Sequence, residues 1–264
     1  MRTTLSLLGF ALLIGILLFT FRPKNITGPR AKAVAIKQLG FPYQELDKAL
    51  DLVFPNPQET SSPRYDLLKE QPKSLDRYLG LISEVGPRSA PHRFTRREQR
   101  LAYMLNAYTA GLLAIIRDLC PIRSVEDPYL FSGLFWRINL KVGGELLSLN
   151  DIAAEISALS LDDPRVMLAV SRAMKANLPL RSVAWTPDNL EEGLTELEQL
   201  LLKPPFTNIK DHTLILGAPY KWYEHRFQPS PKRYIEARNP HLLEDVNTVI
   251  FESVDTQLDG VCGS

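Results

Sequence analysis

The longest uncharged stretch of the chain lies near its start. Residues Thr3 to Phe21, TTLSLLGFALLIGILLFTF, run for nineteen residues without a charge. At a rise of about 1.5 Å per residue, a helix of this length approaches the roughly 30 Å of a bilayer core. The pattern therefore predicts an N-terminal transmembrane anchor over residues 1–21. A cleaved signal peptide is the alternative, but the run passes into FTFRPK without the small residues of a cleavage site.

After residue 42, apolar positions recur mainly at helical spacing. Leu46, Leu50 and Val53 predict one amphipathic helix. The sequence Thr95-Arg96-Arg97-Glu98 predicts a capping box, and REQRLAYMLNAYTAGLLAIIRDL behind it predicts a helix that is apolar on most faces. Such a helix belongs in the centre of a core. A later helix has a regular apolar stripe, formed by Leu190, Leu194, Leu197 and Leu201.

Strand signals are fewer. The segment FWRINLKVGGELLSL alternates apolar and polar residues from Phe135 to Val142 and reverses at Gly143-Gly144, which predicts a tight hairpin. Ser148 and Asp151 then predict a helix cap, and Thr213 to Leu216 predict a short strand. The predicted fold class is α+β: a mostly helical single domain with a small antiparallel sheet, preceded by the N-terminal transmembrane helix. A doubly wound parallel sheet is disfavoured, because strands and helices do not alternate.

Charge divides the chain into unequal parts. Residues 1–40 contain six of the 31 basic residues and none of the 30 acidic ones, so the remainder is net acidic. This distribution disfavours nucleic acid as a partner, since a nucleic-acid binder needs a basic stripe on its folded domain. The charge distribution predicts a basic juxtamembrane linker over residues 22–42 and a main domain over residues 43–264. The linker either binds anionic lipid or is simply solvated.

The same basic flank predicts the side of the membrane. Lys and Arg next to a span favour the cytoplasmic side, so we expect a single-pass membrane protein with a cytoplasmic main domain, although an exported domain stays open. The two cysteines give little information about the fold or about a site. Cys120 is expected as a small core residue, and one bridge to Cys262 is conceivable. Neither cysteine has a histidine or second thiol at metal spacing, so no metal or cofactor is predicted.

One polar side chain interrupts the central apolar helix. Asn106 lies among aliphatic and aromatic residues, and a buried amide must find hydrogen-bond partners or cost about 1–3 kcal/mol. Its amide either ties a neighbouring loop to the helix or lines a binding site. The segment SRAMKANLPLR, residues 171–181, raises the same question, because two arginines and an asparagine stand in an apolar frame.

Six blocks, taken in order, resemble the family known as domain of unknown function 547, over roughly Tyr65 to Asp259. The blocks are KSLDRYLGLISEVGP, LAYMLNAYTAGL, FWRINLKVGGELLSLNDIAAEI, DPRVMLAVSRAMKANLPLR, YKWYEHRF and VDTQLD. The family has two histidines and two cysteines in the third and fourth blocks, which suggests a thiol activated by an imidazole. At those positions this chain has Ala154, Met167, Arg172 and Asn177.

The resemblance therefore implies the family's architecture without its presumed catalytic groups, because neither arginine nor asparagine is a nucleophile at neutral pH. The remaining histidines are expected to have surface or structural roles: His92, His212, His225 and His241. No catalytic residue is predicted. Arg172 and Arg181 together suggest a pocket for a carboxylate or a phosphate, although nearby acids such as Asp163 and Glu191 are available to pair with them. The predicted ligand-binding residues are Asn106, Tyr108, Arg172, Asn177 and Arg181.

The sequence thus predicts a membrane-anchored, non-catalytic binding or scaffolding module. Its expected partners are the membrane, through the N-terminal helix, and a ligand or protein that bears a carboxylate or phosphate. The alternative is a hydrolase or acyl-transfer enzyme that uses residues outside the family pattern. A third hypothesis is a lipid-binding module that uses the basic segment 22–37.

Overall fold

The structure is a computed structural model that describes residues 24–26, 41–56, 62–127 and 133–263. The α-helices are α1 (Gln44–Val53), α2 (Leu67–Glu70), α3 (Lys73–Glu84), α4 (Arg97–Leu119), α5 (Leu134–Arg137), α6 (Leu149–Leu159), α7 (Pro164–Leu168), α8 (Leu190–Leu201), α9 (Ala218–Trp222) and α10 (Pro231–Glu236). The strands are β1 (Lys24–Ile26), β2 (Ile138–Val142), β3 (Glu145–Ser148), β4 (Thr207–Lys210), β5 (Thr213–Leu216) and β6 (Thr248–Phe251). Short 3-10 turns occupy Pro91–Arg93, Glu224–Arg226 and Pro240–Leu243.

The predicted membrane segment, residues 3–21, lies outside the described residues, as does most of the basic segment 22–37. In the part of the chain that the structure describes, no helix has both the length and the apolar character needed to cross a bilayer. Residues 24–26, inside the predicted linker, form β1.

Helix α4 lies in the centre of the core, as predicted. Every residue from Leu101 to Ile116 is buried. Its capping box is displaced by one residue from the predicted one: the backbone N–H of Arg96 donates to Oε1 of Gln99 at 2.9 Å, so Gln99 replaces Glu98 as the reciprocal partner. The chain leaves the helix at Cys120 and continues into Pro121, which cannot extend it.

The predicted hairpin is confirmed as β2 and β3. They pair antiparallel across Gly143 and Gly144, whose φ angles of 58° and 93° are those that glycine adopts freely. The buried residues of β2 pack on α4, where a Cβ at Gly111 would lie 2.7 Å from Cδ2 of Leu140. Gly111 therefore permits the close approach of helix and strand. Ser148 caps α6 as predicted, because its Oγ accepts from the N–H of Asp151 and the Asp151 carboxylate accepts from the N–H of Ser148.

The prediction of a small antiparallel sheet is wrong in two respects. The described residues form two three-stranded sheets, β1-β2-β3 and β4-β5-β6, and each contains one parallel pair. In each sheet the parallel strand comes from a distant part of the chain, β1 beside β2 and β6 beside β5. Strand β6 is exposed or partly exposed along its length, so it lacks the alternation that would reveal it in the sequence.

The remaining predicted elements occur at their predicted places. All four leucines of the α8 stripe are buried. Strand β5 spans Thr213–Leu216. Asp211 and His212 form the two-residue turn of the β4–β5 hairpin with φ angles of 49° and 59°.

The cysteines form a disulfide, which corrects the expectation that Cys120 is only a small core residue. Cys120 and Cys262 lie 142 residues apart, with a Cα–Cα distance of 5.3 Å, and both are buried. The bridge holds the segment Asp255–Cys262 against three other parts of the chain. Its backbone bonds reach Pro63 and Tyr65, Arg123, and the loop at 173–176. Local periodicity in the sequence does not predict a disulfide between such distant cysteines.

We predict that the double change Cys120→Ala and Cys262→Ala lowers the free energy of unfolding by about 2–4 kcal/mol, because the bridge restricts a long loop in the unfolded chain. Urea unfolding of the detergent-solubilised chain, followed by tryptophan emission, measures this. Reductant should weaken the native chain by a similar amount and leave the double variant unchanged. Equal stability of the native chain with and without reductant would contradict the prediction.

Candidate functional site

The loop at 171–177, which follows α7, is held by its own polar groups and by the C-terminal segment. The N–H of Arg172 donates to Oδ1 of Asn177 at 3.1 Å, and the Ser171 hydroxyl donates to the carbonyl of Leu178 at 3.2 Å. The carbonyl of Ala173, a residue with a φ of 54°, accepts from the N–H of Asp259. Asn177 therefore has a structural role, since its side-chain oxygen fixes the backbone at Arg172.

Asn106 ties a loop to the central helix. Its Nδ2 donates to the carbonyl of Trp185 at 2.6 Å, and its Oδ1 accepts from the N–H of Trp185 at 2.8 Å. The amide is buried and both of its ends are used, which supports the structural interpretation of this residue over the ligand-binding one.

Arg181 lies beside this loop and is largely enclosed. Its guanidinium stacks on the Trp185 ring at 4.5 Å and pairs with Glu196 at 3.3 Å, with 12% of the side chain exposed. A Cβ at Gly193 would lie 2.6 Å from Cζ of Arg181, so Gly193 makes room for the stack. Nη1 of Arg181 is buried without a hydrogen-bond partner among the described residues. The adjoining cavity has a volume of about 10 Å³, room for about one water molecule. It is too small for a carboxylate or phosphate ligand.

Arg172 lies in a different environment. Its guanidinium is 4.9 Å from the centre of the Phe135 ring, and its side chain is only partly buried. Among the described residues no Asp or Glu lies within ion-pair distance of it. Other partly buried arginines have carboxylate partners: Arg117 pairs with Asp76 at 2.6 Å and Arg165 with Asp163 at 2.8 Å.

Two phenols share this environment. Burial raises the pKa of Tyr108 and of Tyr223, while the positive charge of Arg172 lowers the pKa of both. The net direction is upward for each, so both hydroxyls keep their protons at neutral pH and can donate a hydrogen bond. Arg172, Tyr108, Tyr223 and Phe135 are called the Arg172 cluster below. Sequence reasoning selected neither Phe135 nor Tyr223 as a site residue, because nothing local connects either residue with position 172.

The five predicted ligand-binding residues have three kinds of surroundings among the described residues. Asn106 and Arg181 adjoin the small cavity at Trp185, Tyr108 and Arg172 belong to the Arg172 cluster, and Asn177 supports the loop. Among the described residues, Arg172 and Arg181 have no interaction partner in common, so the two-arginine pocket stays a prediction. Of the acids expected to pair with them, Asp163 and Glu191 pair instead with Arg165.

Catalytic groups of the thiol–imidazole type are not brought together. Ala154 is exposed on α6 and Met167 is buried in α7. Both cysteines are in the disulfide. His212 bonds to the carbonyl of Asp245 at 3.1 Å, and His241 contacts Glu244. Within the described residues no three or more His, Cys, Asp or Glu side chains gather in the manner of a metal site.

A surface depression lies along the C-terminal segment. It is an open groove of about 590 Å³ between residues 122–127 and 257–263, next to Cys262. The groove is lined by both polar and apolar residues. Its charged lining residues are Arg123 and Asp127. Its residues were not selected from the sequence, since the groove exists only where the two segments meet.

We predict that Asn106→Leu destabilises the fold, because it leaves the N–H and the carbonyl of Trp185 buried without partners. The expected cost is about 1–3 kcal/mol for each group. Asn150→Leu, on the exposed first turn of α6, is the matched control and should change stability by less than about 0.5 kcal/mol. Urea unfolding measures the stability of both variants. If Asn106→Leu and Asn150→Leu have the same urea midpoint, the Asn106 amide contributes nothing to stability.

Comparison with known proteins supports three of the six sequence blocks, which lie within residues 101–181. Residues 91–200 match the family described as "Protein of unknown function, DUF547". No curated protein and no solved structure matches the chain. The matched region includes α4, the β2–β3 hairpin, the loop at 171–177 and most of α8. It contains every residue of the Arg172 cluster except Tyr223. The chain therefore contains a DUF547 domain over residues 91–200, as the resemblance implied.

Proposed function

We propose that this chain is a membrane-anchored, non-catalytic binding protein whose DUF547 domain holds an anionic group, a carboxylate or a phosphate, at Arg172. Residues 1–21 would provide the anchor. The observation that most supports the binding role is the guanidinium of Arg172, placed on the Phe135 ring with no carboxylate within ion-pair distance among the described residues.

The position of Arg172 is unusual on physical grounds. Removing a guanidinium from water is costly unless a counter-charge or hydrogen bonds offset the loss. The aromatic ring offers a favourable face worth about 0.5–2 kcal/mol. That leaves the planar N–H groups available for an external acceptor. The undescribed residues 128–132, PYLFS, which precede α5, contain no acidic side chain.

Carboxylates and phosphates suit this arrangement. A guanidinium can bind either group through two parallel hydrogen bonds. The protonated hydroxyls of Tyr108 and Tyr223 would add neutral donors without adding charge. A non-catalytic role is supported by the cysteines, since both thiols are used in the disulfide and neither can act as a nucleophile while it is bridged.

We further propose that the main domain lies on the oxidising side of the membrane. A buried disulfide persists in exported compartments and is rare in the cytosol. The bridge between Cys120 and Cys262 thus favours the exported orientation over the cytoplasmic one that the basic flank predicts.

We predict that inorganic phosphate raises the unfolding temperature of the detergent-solubilised chain and that Arg172→Gln abolishes this effect. Acetate serves as the carboxylate probe in a parallel titration. Arg100→Gln removes an equivalent charge from an exposed position on α4 and should leave the response unchanged. Thermal unfolding over a range of phosphate and acetate concentrations measures both effects.

The two probes give different outcomes. A response to one anion alone, lost in Arg172→Gln, identifies the chemistry of the ligand. If Arg172→Gln responds as the native chain does, or if neither anion has an effect on the native chain, the proposed binding role is wrong.

We predict that the chain taken directly from its host membrane has no thiols that react with maleimide in denaturant, and two after reduction. The reason is that an exported domain keeps the Cys120–Cys262 bridge oxidised. Gel shift with a polymer-linked maleimide counts the thiols. The double variant Cys120→Ala and Cys262→Ala should give no shift in either state. Two reactive thiols before reduction would contradict the exported orientation.

A further inference from the structure

Strand β6 is an open edge of the second sheet. Among the described residues it pairs with β5 alone, in parallel, so its other side has no partner strand. Edge strands are usually blunted by a charged residue, a proline or a bulge, because unpaired backbone groups bind other chains. The opposite edge strand of this sheet, β4, ends in Lys210. Strand β6, with the sequence TVIF, has neither a charge nor a proline.

The register shows which backbone groups point to the open side. The N–H of Glu252, directly after β6, donates to the carbonyl of Leu216 at 2.9 Å. In a parallel pair, residues that bond to the neighbouring strand alternate with residues whose N–H and C=O groups face the other way. The backbone groups of Val249 and Phe251 therefore point away from β5. They offer two donors and two acceptors to a further strand.

The side chains at this edge are apolar and exposed. Val249 is 39% exposed and Ile250 is 45% exposed. Because successive side chains of a strand point to opposite faces, one of the two lies on each face of the sheet. Ile250 lies opposite Ile215, which is itself partly exposed. A strand added at this edge would therefore cover apolar surface on both faces.

The chain around β6 is acidic. No lysine or arginine occurs after residue 238, whereas five acids do: Glu244, Asp245, Glu252, Asp255 and Asp259. Glu244 pairs with His241 at 2.7 Å. In the described part of the chain, no Lys or Arg lies within ion-pair distance of Asp245 or Glu252. Lys232 approaches the start of β6, but it donates to the backbone carbonyl of Val246. Each end of the strand thus has a carboxylate without a basic partner among the described residues.

These charges distinguish between possible occupants of the edge. A second copy of the chain, paired antiparallel and centred on Ile250, would bring Asp245 of one copy towards Asp255 of the other. Like charges that face each other across a strand pair are destabilising. Nucleic acids and anionic membranes are disfavoured by the same repulsion. An extended peptide with apolar residues between basic ones satisfies both the apolar edge and its acidic ends.

We propose that β6 binds an extended segment of a partner protein as a fourth strand of its sheet, and that this segment has apolar residues between lysines or arginines. Main-chain bonds to Val249 and Phe251 would provide affinity, as in other complexes formed by strand addition. Asp245 and Glu252 would select the basic residues. They are seven positions apart, at most about 25 Å, so a segment of about seven residues reaches both. The site is separate from the Arg172 cluster and does not depend on the membrane anchor.

A synthetic peptide tests the site on the detergent-solubilised full chain. The labelled probe has alternating valine and threonine between two terminal lysines. We expect binding, measured by fluorescence anisotropy, and slower hydrogen exchange at the N–H groups of Val249 and Phe251. One control peptide has glutamates in place of the lysines, and a second has alternate backbone amides methylated on the side that faces β6. Each control should bind at least about tenfold more weakly.

Variants of the chain separate backbone pairing from charge. Val249→Pro removes an outward N–H while leaving the bonds to β5, and should abolish binding. Asp245→Lys combined with Glu252→Lys should reverse the preference, so that the glutamate peptide binds more tightly than the lysine peptide. Asp51→Lys combined with Asp188→Lys changes exposed acids on α1 and before α8, and should keep the native preference.

Three results would overturn the proposal. The first is no binding of the lysine peptide to the native chain. The second is equal binding of the lysine peptide and either control peptide. The third is a dimer of the native chain, seen by analytical ultracentrifugation and lost in Val249→Pro, because β6 would then pair with a second copy. Reversed preference in the Asp245→Lys and Glu252→Lys variant supports the proposal even if Val249→Pro does not fold.

Discussion

The attachment of the C-terminal segment is the constraint on which the candidate site depends. The loop at 171–177 has no helix or strand of its own, so its shape comes from the residues that bind it. Backbone bonds from Ala173, Lys175 and Ala176 reach the segment 255–259, and the disulfide at Cys262 fixes that segment to the end of α4. Because Arg172 lies in this loop, the position of its guanidinium on Phe135 depends on a covalent link to a residue ninety positions further along the chain.

The two arginines of one short segment, Arg172 and Arg181, differ in their burial and in their ionic partners. Arg181 is enclosed between Trp185 and Gly193 and pairs with Glu196, so its charge is largely satisfied within the fold. Arg172 has an aromatic face and two protonated phenols, which are neutral at physiological pH. A charge with no acidic partner among the described residues is less well stabilised than a paired one, and the proposed anion would supply the missing counter-charge. The difference lies in the surroundings and not in the residue type.

Local periodicity predicts much of this fold and little of the site. The central helix, the α8 stripe, the Gly143-Gly144 hairpin and the Ser148 cap depend on residues within a few positions of one another, and the sequence records them directly. The buried amide of Asn106 could likewise be predicted to need partners. The parallel strands β1 and β6, the disulfide, and the contact of Arg172 with Phe135 join positions far apart in the chain. Loop closure selects such pairs from many alternatives, and a single sequence does not show which are chosen.

Helix α5 links the Arg172 cluster to the pair of strands β1 and β2. In four residues it places Phe135 beneath the Arg172 guanidinium, exposes Trp136, and leads into the strand that pairs with Lys24. The Arg172 cluster and strand β1 are thus joined through one short, packed element.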